Sequence, residues 1–171
     1  MHPGVWLAFG DLSGQDFWRN KARIVHVRFV EPPAVRDGQV TFTAESSFQA
    51  ANGGEICKQT SRLTLAARPA GYLLIWEATF RPEQRDMVFG DQEEMGLGVR
   101  VATPIAVKQG GTLRDALGRR NEREVWGNSA DWCDYSGTLA GRHAGITTMC
   151  DPSNFRPSWH HARDYGALVV N

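Results

Sequence analysis

Cysteine is scarce in this chain of 171 residues, and the three present, Cys57, Cys133 and Cys150, stand far apart. No Cys-x-x-Cys pair and no Cys/His spacing of a zinc knuckle occurs, so no metal centre of that kind is expected. Reduced, buried thiols are the simplest reading, with one disulfide left open. Long apolar runs are also missing. The longest, Ala70–Trp76, ends at once in Glu77, whereas a membrane-spanning helix takes about 20 apolar residues. Net charge is absent too, because 19 basic and 19 acidic side chains cancel. No basic stripe or charge run points to a nucleic acid or a membrane as partner.

Other absences narrow the chemistry. Gly96-Leu97-Gly98 lacks a following helix pattern, so it is not a phosphate-binding loop. No serine-centred nucleophile elbow is present, and no cofactor is expected. Met1-His2-Pro3-Gly4 has neither the basic nor the apolar part of a signal peptide, and localisation stays unknown. Without repeats, low-complexity tracts or linkers, residues 1–171 read as a single domain, and that length suffices for a sizeable core.

What the chain has in quantity is alternation. Val25, Val27 and Phe29 alternate with His26 and Arg28, and Val40, Phe42 and Ala44 with Thr41, Thr43 and Glu45. Leu63 and Leu65 alternate with Arg62 and Thr64, and Leu97, Val99 and Val101 with Gly98 and Arg100. Period two over short segments predicts half-buried strands. Turns are predicted at Glu31-Pro32-Pro33, Arg36-Asp37-Gly38, Asn52-Gly53-Gly54, Arg68-Pro69-Ala70-Gly71 and Gln109-Gly110-Gly111. The fold expected is all-β, an antiparallel β-sandwich. Only Thr112–Glu124 suits a helical turn, and a long surface loop fits it equally well.

Chemistry-bearing residues crowd into Asp151–Asn171: Asn154, Arg156, Trp159, His160, His161, Arg163, Asp164 and Tyr165. In an extended strand, Trp159, His161, Arg163 and Tyr165 form one row and His160, Ala162 and Asp164 the other. A flat ring, an imidazole and a forked cation in one row suit a polar small-molecule site. The same residues also suit a sheet edge with Arg163 and Asp164 in ion pairs. Glu93 and Glu94 are neighbours and point to opposite faces, so they are no acid/base pair, but Glu94 falls on one face with Arg100. An arginine there keeps Glu94 ionised, as a base or hydroxyl acceptor. His2 titrates near neutrality but stands where a chain end frays. A metal set from His2, Glu94 and His161 has no local spacing behind it, and none is expected. His26 and His143 read as scaffold groups. Trp126 and Trp132 offer an aromatic platform, with core packing the expected role for at least one of them.

Four blocks carry a resemblance: His2–Trp18, Phe89–Pro104, Val125–Gly137 and Asp151–Asn171. Together they resemble the bacterial PmoA-like family, often labelled "methane oxygenase PmoA". The resemblance implies a β-rich fold similar to the galactose-mutarotase supersandwich and a link to carbohydrate metabolism. It implies proton-moving roles for Glu94, at the family's glutamate position relative to its arginine, and for His2, where the family's first block opens on histidines. Methane oxidation itself is not expected, because that chemistry belongs to membrane subunits and no spanning segment is present. The family has a further amino-terminal portion and continues past the final asparagine, so an incomplete sandwich is expected, with self-association through exposed sheet edges. Two functions follow. One is acid/base chemistry on a sugar or sugar acid, with Glu94, His161 and His2 as proton movers and Arg100, Trp159, Arg163, Asn154 and Tyr165 binding the carbohydrate. The other is a non-catalytic sugar-binding or structural module.

Overall fold

The structure is a computed structural model that describes residues 4–82, 86–92 and 95–171. Strands dominate it. The first five are β1 (Gly4–Ala8), β2 (Arg23–Arg36), β3 (Gln39–Gln49), β4 (Glu55–Arg68) and β5 (Gly71–Pro82). After β6 (Gly96–Arg100) come two short 3-10 turns, then β7 (Thr112–Asp115) and the five-residue helix α1 (Asn121–Val125). The chain ends in β8 (Trp132–Leu139), β9 (Arg142–Met149), β10 (His160–Arg163) and β11 (Ala167–Val170). Every strand pairing is antiparallel, so the expected all-β class holds. The segment that suited a helical turn begins as β7 and reaches α1 only at its end.

The chain divides into two compact units, Asp11–Gly90 and Met1–Gly10 with Asp91–Asn171. Asp11–Gly90 is built on a four-stranded meander in the order β2-β3-β4-β5. Its first hairpin turns on Asp37 and Gly38, both left-handed at φ 51° and 72°, the backbone that matches the twist of paired strands. Alternation then gives the sheet an apolar face. Val40 and Phe42 lie opposite Leu65 and Leu63, which lie opposite Leu74 and Trp76. Thr41, Thr43, Arg62 and Thr64 take the other face. Burial is graded along the apolar face. Phe48 and Cys57 are fully buried at one end, whereas Val40, Leu65 and Leu74 are 38–43% exposed at the other. Phe48 packs its ring against Phe17 and Phe80 at centroid distances of 4.8 and 5.7 Å. The ends of this unit meet, with the Gly90 N–H donating to the Asp11 carbonyl at 2.9 Å.

One predicted turn is absent. Glu31-Pro32-Pro33 lies inside β2, which runs unbroken from Arg23 to Arg36. The register with β3 shifts between Phe29 and Glu31 and again between Glu31 and Ala34. β2 is an edge strand, where a proline forfeits no ladder bond and bulges absorb the misfit.

The other unit is a sandwich. One sheet has the order β1-β6-β11-β10 and the other β7-β8-β9. Val99, Ala162 and Leu168 from the first meet Leu113, Cys133 and Tyr135 from the second in one buried cluster with Val101, Ile105 and Val125. Gly98 pairs with Trp6 across β1 and β6, and a Cβ at Gly98 would run into the indole. That glycine therefore serves packing. All three cysteines are free. Burial pushes the thiols of Cys57 and Cys133 up to about 11 and about 12, with neighbouring carboxylates adding to it, so neither is a ready nucleophile.

Candidate functional site

β10 has two unlike faces. Ala162 and His160 are buried on one, and His161 and Arg163 stand on the other. The expected row contracts to these last two. β10 begins at His160, and Gly166, left-handed at φ 104°, donates its N–H to the Arg163 carbonyl at 3.0 Å and turns the chain back. The turn is held from behind by Tyr135, whose hydroxyl accepts the Val107 N–H at 2.9 Å. Its single O–H is shared between the carbonyls of Asp164 and Arg163, at 3.0 and 3.2 Å.

α1 is clasped to this turn by Glu122. Its backbone N–H donates to Asp164 Oδ1 at 2.9 Å, and its Oε2 accepts the Asp164 N–H at 3.0 Å. Its Oε1 accepts from Arg163 Nη1 at 2.8 Å. The Asp164 N–H holds the Glu122 carboxyl below the usual carboxylate range, with Arg163 adding to the effect and burial opposing it. After α1 comes Gly127, left-handed at φ 68°, a common helix stop. Its N–H donates to the His160 carbonyl at 2.9 Å, while the His160 N–H donates to Asn128 O at 3.0 Å. These bonds fix Trp126 beside His161 and Arg163.

Trp126, His161 and Arg163 form a closed triangle. Trp126 Nε1–H donates to His161 Nδ1 at 3.3 Å, and Arg163 Nε–H donates to His161 Nε2 at 3.2 Å. The guanidinium lies 5.8 Å from the centroid of the Trp126 ring, within cation–π range. A neutral imidazole has one lone pair on its two ring nitrogens, so His161 accepts one of these bonds at a time. The imidazole is buried, whereas Trp126 is 44% exposed. An open cleft of about 280 Å³ is lined by Glu122, Arg123, Trp126 and Arg163.

Behind β10 lies a second polar group. Asp115 Oδ2 accepts from Arg119 Nε at 2.6 Å, and Arg119 Nη2 donates to the Ser129 carbonyl at 2.7 Å. His160 is buried nearby, and neither ring nitrogen has a hydrogen-bond partner among the described residues. Burial pushes its pKa below the ordinary histidine value; Asp115 pulls it back up and Arg119 pushes it further down.

The structure thus joins His161 to Arg163 and adds Trp126, half of the proposed aromatic platform. Trp132, the other half, lies under Arg114 with 5.8 Å from guanidinium to ring centroid. Arg100 and Tyr165 meet each other, the guanidinium 4.6 Å from the ring centroid. Trp159 is half-exposed just before β10 and exchanges backbone hydrogen bonds with Asn171. Asn154 lies on an exposed turn, its N–H donating to the Asp151 carbonyl. His2 and Glu94 lie outside the described residues. Among the described residues no three His, Cys, Asp or Glu side chains are grouped to hold a metal ion. Glu122 and Arg123 escaped the sequence reading. Their only local signal is a charged turn just before Trp126, and the partner of Glu122 is far along the chain.

Neither a curated protein nor a solved structure matches the chain. The chain belongs to a family of unknown function, DUF6807, whose family model matches residues 1–171.

Proposed function

We propose that this chain is a carbohydrate-related β-domain that binds a sugar or sugar acid in the cleft between Trp126 and Arg163. The observation that carries the reading is a half-exposed indole and a guanidinium side by side at an open cleft. An aromatic ring offers a flat apolar surface to the C–H face of a sugar. Charged forks on the rim hydrogen-bond its hydroxyls. At about 280 Å³ the cleft falls just below the usual range of ligand sites, which begins near 300 Å³, so a single sugar ring is the largest ligand that matches it. The resemblance of four sequence blocks to the PmoA-like family supports a carbohydrate ligand.

In this reading His161 positions the site. It faces one ring nitrogen to Trp126 and the other to Arg163, and so keeps stacking surface and cation on the same side of the strand while accepting from one of them at a time. Acid/base chemistry would give His161 a further task and would draw on Glu94. The binding function stands without that step.

Isothermal titration with neutral hexoses and with hexuronates tests the proposal, using the intact chain and Trp126→Ala. Binding should weaken roughly two- to tenfold in the variant, the equivalent of the about 0.5–1.5 kcal/mol an aromatic pairing contributes. Equal affinity in the two proteins, or no binding by either, would overturn it.

A further inference from the structure

Resting on that reading, we infer that Glu122 is a built-in carboxylate occupying the anion position of the cleft, and that the ligand class is a sugar bearing a carboxylate. Arg163 Nη1 meets Glu122 Oε1 at 2.8 Å, the contact that a guanidinium makes with a ligand carboxylate. The two oxygens of Glu122 have separate tasks. Oε1 faces Arg163, whereas Oε2 and the Glu122 backbone N–H both engage Asp164. Oε1 can therefore release Arg163 while the clasp between α1 and the turn after β10 stays closed.

What remains after the exchange is a prepared anion site. Arg163 stays oriented through its Nε to His161, and its carbonyl stays within reach of the Tyr135 hydroxyl. Arg123 is exposed on the same cleft and supplies a second cation. A neutral sugar has no charge with which to displace Glu122. A hexuronate does, and it keeps the ring that stacks on Trp126.

The test uses the full chain with galactose, galacturonate and galactose 6-phosphate as probes. Glu122→Gln keeps an oxygen for the Asp164 N–H and turns an amide nitrogen toward Arg163, which ends the competition. The ratio of galacturonate to galactose affinity should rise about tenfold, since a hydrogen bond to a charged group is involved. In the unaltered chain, NMR should show the Arg163 side-chain resonances moving further with galacturonate than with galactose. The Asp164 amide should hold its position in both titrations. That readout stands even if Glu122→Gln fails to fold. An unchanged galacturonate-to-galactose ratio in Glu122→Gln, or an Arg163 signal indifferent to galacturonate, would overturn the inference and leave sugar binding at Trp126 intact. Preference for the phosphate over the uronate would overturn the carboxylate class. Failure of every probe to bind would overturn the carbohydrate reading together with the inference.

Discussion

His160 shows how one side chain sets a pH response. Its imidazole is buried with neither nitrogen hydrogen-bonded among the described residues, and the charged groups acting on it are Asp115 and Arg119. Burial lowers its folded-state pKa, so below the unfolded value of about 6.5 the unfolded chain binds the extra proton first. Stability contributed by the neutral ring is complete above that value and is lost as the pH falls from there toward the folded-state pKa. His160→Leu should remove this slope and leave stability at pH 7 equal or higher, because an unpaired buried polar group is itself unfavourable. Calorimetric melting temperatures from about pH 8 to pH 5 would check it, and an unaltered slope in the variant would count against this role. Legibility differs sharply between neighbours here. His161 and Arg163 were readable as partners because they are two apart on a strand. Glu122 was not, since its contact with Arg163 exists only once β10 and α1 are folded together.

At the level of elements, the hairpins of the meander were plain in the sequence, whereas those joining β8 to β9 and β10 to β11 were not. Asp37-Gly38 and Asn52-Gly53-Gly54 lie between alternating strands, and Asp37, Gly38 and Gly53 take the left-handed backbone there. Pro32-Pro33 misled because proline breaks a central strand and is tolerated at an edge, and sequence alone does not say which strand is the edge. Pairings such as β6 with β11, where Val99 meets Leu168, were equally hidden, because nothing local links the two. The site depends on such a distant pairing. Tyr135 on β8 pins the turn after β10 through one accepted bond and one O–H shared between two carbonyls. Tyr135→Phe removes the hydroxyl and strands the Val107 N–H, while the two carbonyls keep the N–H groups of Gly166 and Lys108. The expected cost is about 1–3 kcal/mol, read as a lower denaturant midpoint with an unchanged slope. A loss well under that range would mean that water takes over the hydroxyl's bonds.

Across the whole molecule, the Asp11–Gly90 meander raises the question of association. Its apolar face is graded from buried Phe48 to half-exposed Leu65 and Leu74. Both outer strands are long, 14 residues in β2 and 12 in β5. Prolines and bulges blunt β2, the usual protection of an edge, whereas β5 has no proline before Pro82. A second copy of the chain is therefore expected to dock at the β5 side, covering Leu65 and Leu74. Light scattering should show a mass rising with concentration, and Leu65→Lys with Leu74→Lys should return it to the monomer value. A monomer at every concentration would remove the expectation. The meander also governs how the molecule comes together in time. β1 reaches β6 only across the whole of Asp11–Gly90, a closure that is slow and entropically costly for an open chain. Once the meander's local hairpins have formed, the bond from Gly90 to Asp11 brings its two ends together, and pairing Ala8 with Gly96 becomes a short-range event. The first strand in the sequence is thus among the last to be laid down.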